Sequence, residues 1–172
     1  FSDDGNGSAM TTPRDVVTAQ VSPSDKSFET SLPVDHLFRL MSHEITHLAT
    51  FDAHTDSETF WRAVFRGKPA VSAAHPETIA YGYLTAPKVV APRWQLEGIA
   101  TFMDTWMSGG IGRAQGGFDE MVFRAMVRDK TPFYSDLGLV SEGTKVDFNT
   151  GSNAYLYGTR FMSYLALTYG PD

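Results

Sequence analysis

Apolar residues recur every three to four positions along several stretches, so most of the chain reads as amphipathic helix. The first such stretch, Leu37 to Ala49, predicts a helix opened by Ser31-Leu32-Pro33, with Asp35 as an alternative cap, and running to about Phe51. A second helix, Thr59 to Arg66, follows the capping residues Asp56-Ser57-Glu58 and ends at Gly67-Lys68-Pro69. A third runs from Arg93 to Asp104 and is stopped by Ser108-Gly109-Gly110. Phe118 to Lys130 makes a fourth, with Met121, Val122, Ala125 and Met126 as its apolar stripe. The last runs from Ser152 to Tyr169, where Tyr157, Phe161, Tyr164, Leu165 and Thr168 share one stripe and read as core.

Strand signals are few. Val16 to Val21 has strand composition and ends at the turn Ser22-Pro23, which predicts one strand of a small sheet beside a cleft. Leu137-Gly138-Leu139-Val140 fits a helical turn or a short strand equally well. Phe1 to Thr12, rich in Gly, Ser and Asp, reads as a mobile lead-in. The stretch from Ala70 to Pro92 is broken by Pro76 and Pro87, and reads either as the wall of a cleft or as an ordinary surface loop. Trp61, Tyr81, Tyr83 and Trp94 could line such a cleft, although large aromatics belong to the core by default. The sum is an α+β chain, mainly α.

The 172 residues suit a single core, so 13–172 is expected to be one domain after the lead-in. A net charge of −6 argues against nucleic acid or an anionic membrane as partner, since either needs a basic face. No apolar stretch is long enough to span a bilayer. There is no Cys, so any metal must be held by imidazoles and carboxylates. The chain starts at Phe1 and stops straight after a helical pattern, which reads as a piece of a longer protein whose other domains are potential partners.

The chemistry centres on His43-Glu44-Ile45-Thr46-His47. On a helix, residues four apart lie about 40° apart around the axis, so both imidazoles leave one face. Two imidazoles at that spacing supply half of a tetrahedral zinc site, and Glu44 can reach a metal-activated water without ligating the metal. A catalytic site needs a third protein ligand. His54 tests the metzincin pattern, which wants Gly three positions after the second His and His six after it. Thr50 and Ala53 occupy those positions and His54 is one step out of register, so that pattern fails. His75 stands alone before Pro76. Glu97, in the apolar segment Trp94-Gln95-Leu96-Glu97-Gly98-Ile99-Ala100, is the better candidate, against the plain alternative of a glutamate favoured by the helix dipole. Asp104 lies within about 20° of the same face, and is either an acceptor for a ligand imidazole N–H or a solvated residue near a helix end.

The pair of motifs, H-E-x-x-H and then W-x-x-E-G-x-A-x-F-x-D, resembles the gluzincin metallopeptidases. More narrowly it resembles the bacterial peptidase MA-like domains, relatives of thermolysin-like and aminopeptidase N-like enzymes. The late segment Tyr155 to Gly170, ending in Y-L-x-x-x-Y-G, is similar too. The resemblance implies a zincin-like catalytic domain, zinc on His43, His47 and Glu97, Glu44 as general base, and a tyrosine hydroxyl on the oxyanion that matches Tyr155. Tyr155 lies about 200° around the helix from Tyr157, free of the expected core stripe. The resemblance also implies a peptide or protein substrate and a secreted or cell-envelope setting. Two departures stand out. Fifty positions separate His47 from Glu97, more than in the thermolysin and aminopeptidase N relatives, and the G-x-M-E-N signature is absent.

The expected activity is therefore zinc-dependent peptide-bond hydrolysis. Its rivals are a non-catalytic zinc-binding or protein-interaction module on the same helices, and hydrolysis of a non-peptide amide. Glu44 favours an enzyme, because a purely structural site gains nothing from a general base.

Overall fold

The computed structural model describes residues 7–20, 36–140 and 153–170. Three helices position everything that follows: α1 (His36–Asp52), α4 (Arg93–Met107) and α7 (Asn153–Tyr169). Helix α4 lies between the other two and packs on both. Around this trio lie α2 (Asp56–Phe65), α3 (Thr78–Thr85), α5 (Gly117–Arg128) and the short α6 (Asp136–Val140). Single 3-10 turns at Pro87–Val90 and Arg113–Gln115 flank α4 in sequence. No described helix is long and apolar enough to cross a membrane.

Helices α4 and α7 meet through glycine. A Cβ on Gly98 would collide with the Gly158 backbone, and one on Gly158 would run into the carbonyl of Trp94. Only two residues without side chains let the backbones approach this closely. The buried face of α7 is accordingly small: Asn153, Ala154, Leu156, Gly158 and Thr159. The aromatic stripe expected to be core turns outward instead, with Phe161, Tyr164 and Thr168 exposed. Tyr157 and Leu165 of that set are half-buried, Tyr157 against Phe123 and Tyr134. Close backbone contact has outweighed aromatic burial here.

The sheet is an antiparallel pair, β1 (Gly7–Met10) with β2 (Val16–Ala19), in register from Gly7 opposite Ala19 to Met10 opposite Val16. Residues 7–10 belong to the segment expected to be a lead-in. Their Gly-Ser-Ala-Met composition carries little strand preference, and the ladder to β2 supplies what composition does not. Both strands pack on α1. Lys68 fastens them: its Nζ donates to Thr11 Oγ1 and to Asp15 Oδ1 at 2.6 Å beside the hairpin, and to Asp52 Oδ1 at 3.0 Å at the end of α1.

Helix α2 starts earlier than its composition suggests. Thr55 is the cap residue, its backbone N–H donating to Glu58 at 2.6 Å, so Asp56 to Glu58 form the first turn rather than the cap. The proline-broken stretch holds α3, which packs on α2 through Phe65 and Tyr81, ring centroids 4.7 Å apart. Trp61 joins that cluster and Trp94 meets Phe161 edge-on, so these aromatics pack on helices and their ring contacts do not include the site imidazoles. Leu137 to Val140 is helical, within α6. The expected start of α1 at Ser31 to Asp35 and the end of the β2 region at Val21 lie outside the described residues.

Candidate metal centre

The inward face of α1 is polar, with Ser42, Glu44 and His47 buried while Ile45 points out. A polar face toward a core is costly unless its groups satisfy one another. Here they converge with α4. His43 Nε2 lies 3.2 Å from Glu97 Oε2, His47 Nε2 lies 3.3 Å from the same oxygen, and the two Nε2 atoms are 3.1 Å apart. Among the described residues these three form a cluster able to hold a metal ion.

The triangle has the right size. Ligand bonds of about 2.1 Å at tetrahedral angles place neighbouring donor atoms about 3.4 Å apart. Three lone-pair-bearing atoms this close repel one another unless a cation or proton sits among them. The hydrogen bond on the far side of His43 sets its tautomer. Nδ1–H donates to Asp104 Oδ2 at 3.0 Å, so in the neutral imidazole that binds a metal the Nε2 lone pair faces the cluster. Asp104 is itself buried, and its other oxygen lies 3.2 Å from Thr105 Oγ1. His47 differs, because its Nδ1 is buried with no hydrogen-bond partner among the described residues.

The charges follow from this packing. Burial opposes a proton on His43, but hydrogen bonds to Asp104 and Glu97 outweigh it and raise its pKa to about 9 in the metal-free protein. Burial likewise works against the Glu97 carboxylate, yet hydrogen bonds from His43 and His47 hold its pKa far below the usual range. Glu44 is only 4% exposed, and burial pushes its carboxyl above the ordinary value against the pull of the two imidazoles. That shift moves it toward the range a general base uses near neutral pH. Strand β1 sets the space around it: a Cβ on Gly7 would sit 2.7 Å from Glu44 Oε1.

Tyr155 leaves the first turn of α7 toward the cluster. Its ring stacks on His43, centroids 6.2 Å apart. Burial, then the negative charge of Glu97, push its hydroxyl pKa up to about 12 against the influence of Arg93. The tyrosine therefore stays a hydrogen-bond donor throughout the neutral range. Two guanidiniums flank the ring, with Cζ of Arg93 at 5.5 Å and of Arg113 at 5.4 Å from its centroid. Arg93 also reaches Glu97 Oε1 at 3.5 Å.

No family model matches the chain, and no curated protein or solved structure shows significant similarity to it. The site thus rests on its own geometry.

The structure brings together His43, His47, Glu97, Asp104, Glu44 and Tyr155 from three helices. It leaves the other imidazoles outside. His54 Nδ1 meets the Asp52 carbonyl oxygen at 2.7 Å and Arg62, while exposed His75 faces Glu77 at 3.3 Å. Sequence reasoning passed over Gly7 and Arg113. Gly7 sits in a polar segment without periodicity, and Arg113 in a glycine-rich link between helices, so neither offered a pattern to read.

Proposed function

We propose that the chain is a zinc-dependent peptide hydrolase of gluzincin type, with a zincin-like catalytic domain. One observation carries the reading: the donor atoms of His43, His47 and Glu97 converge at 3.1–3.3 Å with a buried carboxylate, Glu44, on the same helix face. Two imidazoles and one carboxylate are the protein donor set of a catalytic zinc site, whose fourth position belongs to water or substrate.

Bound there, zinc would polarise a water and the scissile carbonyl. Glu44 accepts the proton released as water attacks and then delivers it to the departing amine. The Tyr155 hydroxyl, kept protonated by its surroundings, donates to the carbonyl oxygen as that atom gains charge. Asp104 keeps the His43 ring turned so that Nε2 faces the cluster.

Metal analysis of the purified protein, combined with digestion of a broad peptide library, tests the reading. The expected result is one zinc per chain and cleavage that disappears in Glu44→Gln. One zinc per chain without Glu44-dependent cleavage would leave a non-catalytic zinc-binding module instead. Cleavage confined to non-peptide amides would move the substrate class but keep the chemistry.

A further inference from the structure

A cavity of about 180 Å³ is lined by the turn at Arg113, by α5 and by α7. Thr159 lines it, is 2% exposed, and has a buried Oγ1 with no hydrogen-bond partner among the described residues. That is unusual for this chain. Thr46, Thr50, Thr59, Thr85 and Thr105 all donate to the carbonyl four residues back. An unused buried hydroxyl is costly, and a ligand is one way to satisfy it.

Arg113 supplies the second feature. Its Nε donates to both oxygens of Asp119, at 3.1 and 3.0 Å, leaving its two terminal amino groups without a hydrogen-bond partner among the described residues. The same guanidinium lies over the Tyr155 ring, which stacks on His43. Arg113 therefore stands between the cavity and the metal centre. Both carboxylates that line the cavity are already engaged, Asp119 by Arg113 and Glu120 by Arg124 and Arg160. What remains unused near Arg113 and Thr159 is donor capacity. A planar carboxylate matches a guanidinium fork and accepts from a hydroxyl as well.

We propose that this cavity is a specificity pocket that binds a carboxylate of the peptide substrate through Arg113 and Thr159. The proposal rests on the peptide-hydrolase reading above. The carboxylate has two possible sources, an acidic side chain or the C-terminus of the peptide, and recognition by the pocket is the same for both.

The test measures equilibrium binding to zinc-loaded Glu44→Gln protein, so that no turnover is needed. The probes are N-acetylated alanine hexapeptides carrying Glu or Gln at each position in turn, with an amidated or a free C-terminus. A Glu at one position, or the free terminus, should tighten binding on the order of tenfold over its uncharged counterpart. The arm that responds identifies the source. Adding Arg113→Gln should abolish the preference. Adding Thr159→Val, which keeps the side-chain shape and removes only an unpaired hydroxyl, should reduce it severalfold. Equal binding of all probes, no binding of any, or a preference that survives both substitutions would overturn the pocket. Wild-type turnover is read separately. Carboxylate-selective binding without cleavage would uphold the pocket and overturn the hydrolase, and cleavage without selectivity would do the reverse.

Discussion

His43 and Asp104, sixty-one residues apart in sequence, are joined by a 3.0 Å hydrogen bond between Nδ1 and Oδ2. The bond ties α1 to α4 and fixes which imidazole nitrogen faces the cluster. Loss of such a partner ordinarily weakens metal affinity about 10–100-fold. Asp104→Asn should show a fall of that size in competition with a chelator, with its helical content unchanged.

Tyr155→Phe isolates the donor role. Removing one oxyanion donor costs about 3 kcal/mol of transition-state stabilisation, so turnover should slow about a hundredfold while zinc affinity stays the same. Steady-state kinetics and metal titration on the same preparation check both halves. An unchanged rate would remove Tyr155 from the mechanism.

Packing of α4 on α7 gives a stability prediction. Because Gly98 and Gly158 meet backbone to backbone, Gly158→Ala forces the helices apart. The expected loss is about 3 kcal/mol, at the upper end of overpacking effects, and thermal unfolding measures it. A Gly67→Ala control, with open space around its Cβ but a positive φ, separates backbone strain from collision.

Acid should loosen the hairpin. Hydrogen bonds from Lys68 hold the carboxyls of Asp15 and Asp52 below their ordinary value of 3.8. A depressed folded-state pKa adds stability that is fully present above the unfolded value and fades as pH falls below it. The stability gap between wild type and Lys68→Met should therefore be constant near neutral pH and shrink as pH drops below about 4. Denaturant unfolding at several pH values reads it. Both carboxylates are well exposed, so the gap is expected to be modest.

Some of this was legible in the chain. The helices α1, α4 and α7 announce themselves by apolar spacing and by glycine or proline stops, and Glu97 is conspicuous as a carboxylate in an apolar segment. The inward face of α7 was not legible. Periodicity favoured the aromatics, whereas Gly98 against Gly158 requires small residues at the crossing. Strand β1 was hidden for a related reason, since it depends on β2 and α1 rather than on its own composition. Arg113 is placed by tertiary packing of a glycine-rich turn, and no local rule points it at Tyr155.

The central claim is that His43, His47 and Glu97 hold a zinc ion beside Glu44 acting as general base. Peptide cleavage rates compared between wild type and Glu44→Gln at matched zinc occupancy test it most directly. General-base catalysis contributes about 10²–10⁴-fold, so Glu44→Gln should keep its zinc and lose activity by at least two orders of magnitude. Equal rates in the two proteins, or no cleavage by zinc-loaded wild type, would contradict the account.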